Sequence, residues 1–250
     1  MLAKTDALAP YQGFDRQYID GGWCSGRHGG VQIVTNSYSG VTLAETIMAN
    51  QSDLDDAYQA AAKAQVSWAA RLPAERAAVM LRAAAIMEAR HSEIVDWLVR
   101  ESGSTRVKAE LEWQFVRAVT LDAASFPHRM ERKLLPLDEA GKKSRAYRQP
   151  LGVIGVISPW NFPMYLSHRS IGPALALGNA VVVKPAEDTP ITGGLLIAKI
   201  YEEAGLPPGL LNVVIGPISE IGDAFTLHPV PRLISFTGST RVGRHIGALA

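Results

Sequence analysis

Between Tyr18 and Ala49 the apolar residues come in short pieces, such as Val31, Ile33 and Val34, broken by turn signals at Asp20-Gly21-Gly22, His28-Gly29-Gly30 and Ser39-Gly40. This punctuation predicts an initial hairpin or meander. The period then lengthens. Ser52, with Asp55 three positions on, resembles a capping box in which Asp replaces the usual Glu, and it opens the Ala-rich run Leu54 to Ala70, a predicted helix. Pro73 at a helix start, followed by Met80, Ala83, Met87, Ile94 and Leu98, predicts a long amphipathic helix or a closely spaced pair, stopped by Gly103. Another helical run, Val107 to Ser125, ends near Pro127.

After Pro150 the character changes. Four short β-branched runs appear in turn, Gly152 to Ile157, Ala180 to Val183, Asn212 to Ile215 and Leu233 to Phe236, with helical segments between them. The connector up to Ala204 has Thr189 at the cap, Pro190 in the first turn and Gly205 after the end. Strands apolar almost throughout, separated by helices, imply a parallel sheet covered on both faces, hence an open α/β fold whose ligands sit beyond the carboxyl ends of the strands. Before this half, Arg129, Arg132, Lys133, Lys142, Lys143, Arg145 and Arg148 gather around Pro136 and Gly141. The stretch reads as a solvated connecting ribbon, with contact to an anion or another subunit as the alternative.

With 25 basic and 24 acidic residues in 250, the net charge of +1 gives no field that would draw the chain to nucleic acid or an anionic membrane, so a small-molecule partner is expected. Cys24, the only cysteine, excludes an internal disulfide framework and a cysteine-based zinc site. The six histidines show no helical pairing with one another, so no metal is expected. Met1 to Pro10 has no apolar run suited to a signal peptide and no stretch is long enough to span a membrane, which makes the cytoplasm the default compartment.

Each strand of the second half ends in a distinctive cluster, and an open parallel sheet would bring all four to one edge. In Ser158-Pro159-Trp160-Asn161-Phe162-Pro163, two prolines restrict the backbone around Asn161, whose amide suits either an oxyanion donor or a local turn bond. Lys184-Pro185-Ala186-Glu187 offers a donor and an acceptor, as ribose hydroxyls require, or else a surface ion pair. Gly216-Pro217 and Thr237-Gly238-Ser239-Thr240-Arg241-Val242-Gly243 each lie between an apolar run and a helix. In the second of these, Ser239 at the cap leaves free N–H groups for a phosphate. Four residues separate Gly238 from Gly243, as in a P-loop, but Arg244 and His245 stand where Lys and Ser or Thr are needed, which argues against a nucleotide triphosphatase. Gly152 and Gly155 lie inside the first strand, so the usual dinucleotide-binding glycine fingerprint is missing.

Taken in order, Pro159-Trp160-Asn161-Phe162-Pro163, Lys184-Pro185-Ala186-Glu187, Gly205-Leu206-Pro207 with Asn212-Val213, and Phe236-Thr237-Gly238-Ser239-Thr240 resemble the aldehyde dehydrogenase superfamily. Residues Glu101 to Thr105 and Pro229 to Gly243 look nearest to its vanillin, benzaldehyde and salicylaldehyde dehydrogenase group. The resemblance implies a Rossmann-like, mostly parallel sheet with helices on both faces. Residues 1–131 would form the N-terminal hairpin and helices of the cofactor-binding domain, 132–150 the start of an oligomerisation arm, and 151–250 the NAD(P)-binding core.

It also implies oxidation of an aldehyde, aromatic by the nearest group, to its acid, with NAD as cofactor, NADP as an alternative, and homo-oligomeric assembly. Asn161 would stabilise the oxyanion and Lys184 with Glu187 would bind the adenosine ribose. Gly216 and Val242 would border the adenine, Ser239 with the backbone of Gly238 and Gly243 would meet the pyrophosphate, and Ile157, Ser158 and Trp160 would line the cleft. The family's general-base Glu and nucleophilic Cys follow later than Ala250, and Val242 to Ala250 is a helical run without a terminal cap. The chain is therefore expected to be an inactive N-terminal fragment, the alternative being a module that holds the dinucleotide or joins subunits without turnover. Cys24, with no base or helix N-terminus near it in sequence, does not replace the missing nucleophile.

Overall fold

The computed structural model describes residues 8–250, so part of the N-terminal stretch read for a signal peptide lies outside the described residues. The first half comprises β1 (Gln17–Ile19), β2 (Gly22–Cys24), β3 (Val31–Thr35), β4 (Thr42–Ile47), α1 (Gln51–Ala69), α2 (Pro73–Ala89), α3 (His91–Ser102) and α4 (Arg106–Ser125). A ribbon of β5 (Lys133–Leu135) and β6 (Ser144–Ala146) leads into β7 (Val153–Ile157), α5 (Pro163–Ala176), β8 (Ala180–Lys184), α6 (Leu196–Glu203), β9 (Leu211–Val213), α7 (Asp223–Leu227), β10 (Pro231–Phe236) and α8 (Thr240–Leu249).

The main sheet has six strands in the order β10-β7-β8-β9-β1-β2. From β10 to β9 the pairs are parallel; β1 joins β9 antiparallel through Tyr18 opposite Val213, and β2 closes that edge as a hairpin with β1. The early meander therefore divides: β1 and β2 extend the main sheet while β3 and β4 form a separate ribbon. Every residue of β8 is buried, as an interior parallel strand requires. The chain steps from β7 through α5 to β8 and through α6 to β9, then turns back through α7 to β10 on the other side of β7. Right-handed crossovers place α5 and α6 on one face and α7 on the other, where the Tyr58 ring of α1 packs tilted against Phe225 and its hydroxyl donates to the Phe225 carbonyl at 2.9 Å. Because the strand order reverses at β7, the crevice for a ligand opens between the carboxyl ends of β7 and β10.

Several local expectations change. The cap of α1 is Asn50, whose side chain accepts from Ser52 and Asp53 N–H, while Asp53 returns to the Asn50 N–H at 2.9 Å; the Ser52/Asp55 box does not form. Asx and Ser side chains cap equally well, so the sequence pattern was degenerate by two residues. The apolar run after Pro73 is a pair of helices, and Gly103 ends it in the left-handed region at φ +66°. Thr189 does not cap the connector: its buried hydroxyl has no partner among the described residues, and the helix opens instead with a wide π-type turn, Ile191–Leu195. The N–H groups of Ile191 and Thr192 donate to Glu101 of α3, at 2.8 and 2.6 Å. Strand β9 stops at Val213 rather than Ile215, because Gln17 takes over the Ile215 backbone, accepting from its N–H at 2.6 Å and donating to its carbonyl at 3.1 Å.

Candidate functional site

The carboxyl ends of the parallel strands lie in register. Ile157 pairs with Lys184 on one side and with Phe236 on the other, and the Thr237 N–H donates to the Ile157 carbonyl at 3.0 Å. The loops after β7, β8 and β10 therefore leave the sheet side by side, and the β9 loop joins them through Glu187, which accepts from the Ile218 N–H at 3.2 Å. Lys184 is 6% exposed, and its ammonium lies 3.8 Å from Glu187. Burial lowers the Lys184 pKa and the Glu187 carboxylate opposes that shift. A cation held at the end of an apolar strand beside one carboxylate supplies the donor and acceptor a vicinal diol needs. A side chain at Gly216 would strike the Ala49 carbonyl at 2.6 Å and Ile221 at 2.8 Å, so packing alone demands its small size.

After β10, Ser239 caps α8 by accepting from the Val242 N–H at 3.4 Å. The first turn of α8 faces an open cleft of about 470 Å³ lined by Arg169, Phe236, Gly238, Ser239, Gly243 and Arg244, among others. The Phe236 ring fills the space between the two glycines: a Cβ at Gly238 would come within 2.5 Å of it and one at Gly243 within 3.1 Å. Arg169, from α5, is held over the cleft by donating to the Thr237 hydroxyl at 2.9 Å. Two guanidinium groups and a helix N-terminus with free N–H groups favour an anion here.

The Asn161 loop is anchored on both sides. The Ser158 and Ser167 hydroxyls are 2.5 Å apart, and the N–H groups of Met164 and Tyr165 donate to the Glu112 carboxylate of α4 at 2.9 and 3.1 Å. Asn161 itself is exposed and Trp160 is 58% exposed, so both are presented to solvent at the crevice. Among the described residues no hydrogen bond commits the Asn161 amide, so the local turn bond is not formed. The structure thus aligns Ile157, Ser158, Trp160, Asn161, Lys184, Glu187 and Ser239 along one sheet edge. It does not enclose them in one cavity. A wider cavity than that at α8, about 630 Å³, lies away from this edge, between the α1–α2 turn and the base of the basic ribbon.

Sequence reasoning missed Glu101, Glu112 and Arg169. The two carboxylates carried a readable signal: Glu112 occupies the apolar stripe Ala109, Val116 and Ala123, and Glu101 that of Ile94 and Leu98. Both are buried. Cys24 is half-buried in β2, and its thiol pKa is raised by burial and by Asp53, the reverse of what a nucleophile needs. Among the described residues no group of three metal-ligating side chains occurs, and no helix is long and apolar enough to cross a membrane. At the far edge, among the described residues, β10 has no strand partner on one side and α8 has no buried residue, which leaves Leu233 and Val242 exposed.

Comparison with known proteins gives this edge a context. The model of the aldehyde dehydrogenase family matches residues 23–250. Vanillin dehydrogenase of Corynebacterium glutamicum is 51% identical over 244 residues, covering 97% of this chain and 50% of that protein. Benzaldehyde dehydrogenase YfmT of Bacillus subtilis is 49% identical over 240 residues, covering 96% and 50%. The crystal structure of an NAD-dependent benzaldehyde dehydrogenase from Corynebacterium glutamicum superposes with a TM-score of 0.93 at 51% identity, over 97% of this chain and 53% of that one. The chain spans about half the length of the curated relatives it matches.

Proposed function

The chain belongs to the aldehyde dehydrogenase family, a family of oxidoreductases, and from that premise we propose that it is the dinucleotide-binding portion of an enzyme that oxidises an aromatic aldehyde to its acid. The observation that carries the reading is the reversal of strand order at β7, with the Asn161 loop and the N-terminus of α8 flanking the crevice and the Lys184–Glu187 pair on the next strand.

The donor set fits NAD. Lys184 and Glu187 would hold the adenosine ribose through one donor and one acceptor. Ser239 with the first N–H groups of α8, backed by Arg169, would hold the pyrophosphate. Gly216 and Val242 would border the adenine, and Ile157, Ser158 and Trp160 would form the wall of the cleft. When bound, NAD supplies the hydride acceptor. Asn161 would donate its amide hydrogens to the aldehyde oxygen as negative charge gathers there, an interaction stronger in the transition state than in the ground state. The attacking thiolate and the general base would come from the half of the family's length that this chain does not span. By itself the chain binds dinucleotide without turnover.

The test is titration of the chain with NAD while following Trp160 fluorescence. Saturable quenching that disappears in Trp160→Phe, without aldehyde-dependent NADH formation, is expected; no quenching by either NAD or NADP would sink the proposal. Joining the chain to the remaining half of the Corynebacterium glutamicum vanillin dehydrogenase should then yield turnover of an aromatic aldehyde.

Glu187 also bears on cofactor choice, since its carboxylate would repel a 2′-phosphate while buried Lys184 partly offsets that repulsion. Glu187→Gln is expected to narrow the preference for NAD over NADP. An unchanged ratio of the two dissociation constants would refute the role.

A further inference from the structure

The loop that carries Asn161 is not self-supporting. Phe162, the residue before the first turn of α5, contributes no side-chain cap, and Pro163 has no N–H, so the first free donors are those of Met164 and Tyr165. Both donate to one oxygen of Glu112, which comes from α4, far away in sequence. The Glu112 side chain is fully buried, and burial raises its pKa against the opposing pull of these N–H groups and of Lys108. Its other oxygen lies 3.4 Å from the Lys108 ammonium. Lys108 in turn donates to the Ser104 hydroxyl at 2.6 Å and sits 4.2 Å from the centre of the Phe162 ring. Helix α4 therefore grips the residues immediately after Asn161 at two points, one through the backbone and one through an aromatic face.

A fully buried carboxylate is costly to place, and an ordinary helix cap needs only a neighbouring Ser, Thr or Asn. What Glu112 adds is reach: it ties the start of α5 to a separate helix and fixes where the loop leaves the sheet. We propose that Glu112 is a positioning residue for Asn161, acting with Lys108 to hold its amide where the oxyanion forms. The inference rests on the oxyanion role given to Asn161 above.

The test is a double-substitution cycle in the enzyme formed by joining this chain to the remaining half of the Corynebacterium glutamicum relative. Glu112→Ala should lower kcat by about 10- to 100-fold, the loss expected when a catalytic group is displaced by about 1 Å, and leave the KM for NAD within about twofold. Glu112→Gln, which keeps an oxygen able to accept from both N–H groups, should restore most of that loss. In an Asn161→Ala background Glu112→Ala should cost nothing further, because the group it positions is gone. Unchanged kcat in Glu112→Ala, or a cost that multiplies with that of Asn161→Ala, overturns the proposal. If Asn161→Ala alone keeps near-normal turnover, the oxyanion reading itself is lost, and the two failures are thereby distinguished. Should Glu112→Ala not fold, Glu112→Asp, which withdraws the acceptor by one methylene, takes its place in the cycle. In the chain as it stands, Glu112→Asp should speed amide exchange at Met164 and Tyr165 by about tenfold or more while β8 stays protected. Unaltered exchange there would equally overturn the positioning role.

Discussion

Replacing Asn161 by Ala in the joined enzyme lowers kcat by about 10²- to 10³-fold and leaves the KM for NAD close to its original value, the signature of a donor that acts only as charge develops. The expectation rests on three features. Asn161 stands at the crevice where the strand order reverses, its amide is uncommitted among the described residues, and its loop is bounded by Pro159 and Pro163 and anchored through the Met164 and Tyr165 N–H groups to the Glu112 carboxylate. A donor that is already oriented costs no reorganisation when the oxyanion forms. Asn161→Asp should be at least as damaging, since it offers a negative charge to a developing one. Steady-state kinetics with benzaldehyde or vanillin decide the matter, and near-normal turnover in Asn161→Ala would remove Asn161 from the chemistry.

How far this site could be read beforehand depends on what each residue reports about itself. The strands after Pro150 were legible because a parallel strand buried on both faces leaves an unbroken apolar run rich in β-branched residues, as Ala180 to Val183 does. Their loops were legible as well, because Asn161, Lys184, Glu187 and Ser239 each come within four residues of the end of such a run. The contribution of β1 and β2 to the main sheet was hidden, since three-residue strands have too little pattern to declare a partner. The anchoring of α5 and of the segment before α6 was hidden for another reason. Charged residues in helices are ordinarily solvated, so nothing but the spacing of Glu101 and Glu112 among apolar neighbours marks them as anchors. Arg169 was invisible because its role depends on α5 and the β10 loop meeting across the sheet edge.

Removing the Glu101 side chain should cost a large share of the chain's stability. Glu101 is 2% exposed and accepts from the Ile191 N–H, the Thr192 N–H and the Thr192 hydroxyl, and the segment it anchors, Ile191–Leu195, is wholly buried. Glu101→Ala leaves these three donors without partners at about 1–3 kcal/mol each, so a loss of roughly 3–9 kcal/mol is expected. At roughly 2–4 °C per kcal/mol for a chain of this size, Tm falls by about 6 °C or more. Glu101→Gln keeps one acceptor oxygen and should recover about half of the loss.

The pH dependence follows from burial, which pushes the Glu101 pKa up to about 7 from 4.5 despite the donors around it. A carboxylate whose folded pKa is raised contributes stability that is fully present below about pH 4.5 and is lost as pH rises through about 7. The difference in unfolding free energy between the parent chain and Glu101→Gln should therefore shift against the parent by up to about 3 kcal/mol between pH 4.5 and 8. Taking the difference cancels His168, whose buried ring resists protonation down to about pH 3 and titrates with the opposite effect. Urea melts of both proteins across that range measure it, and a difference that does not change with pH would show that Glu101 stays ionised throughout.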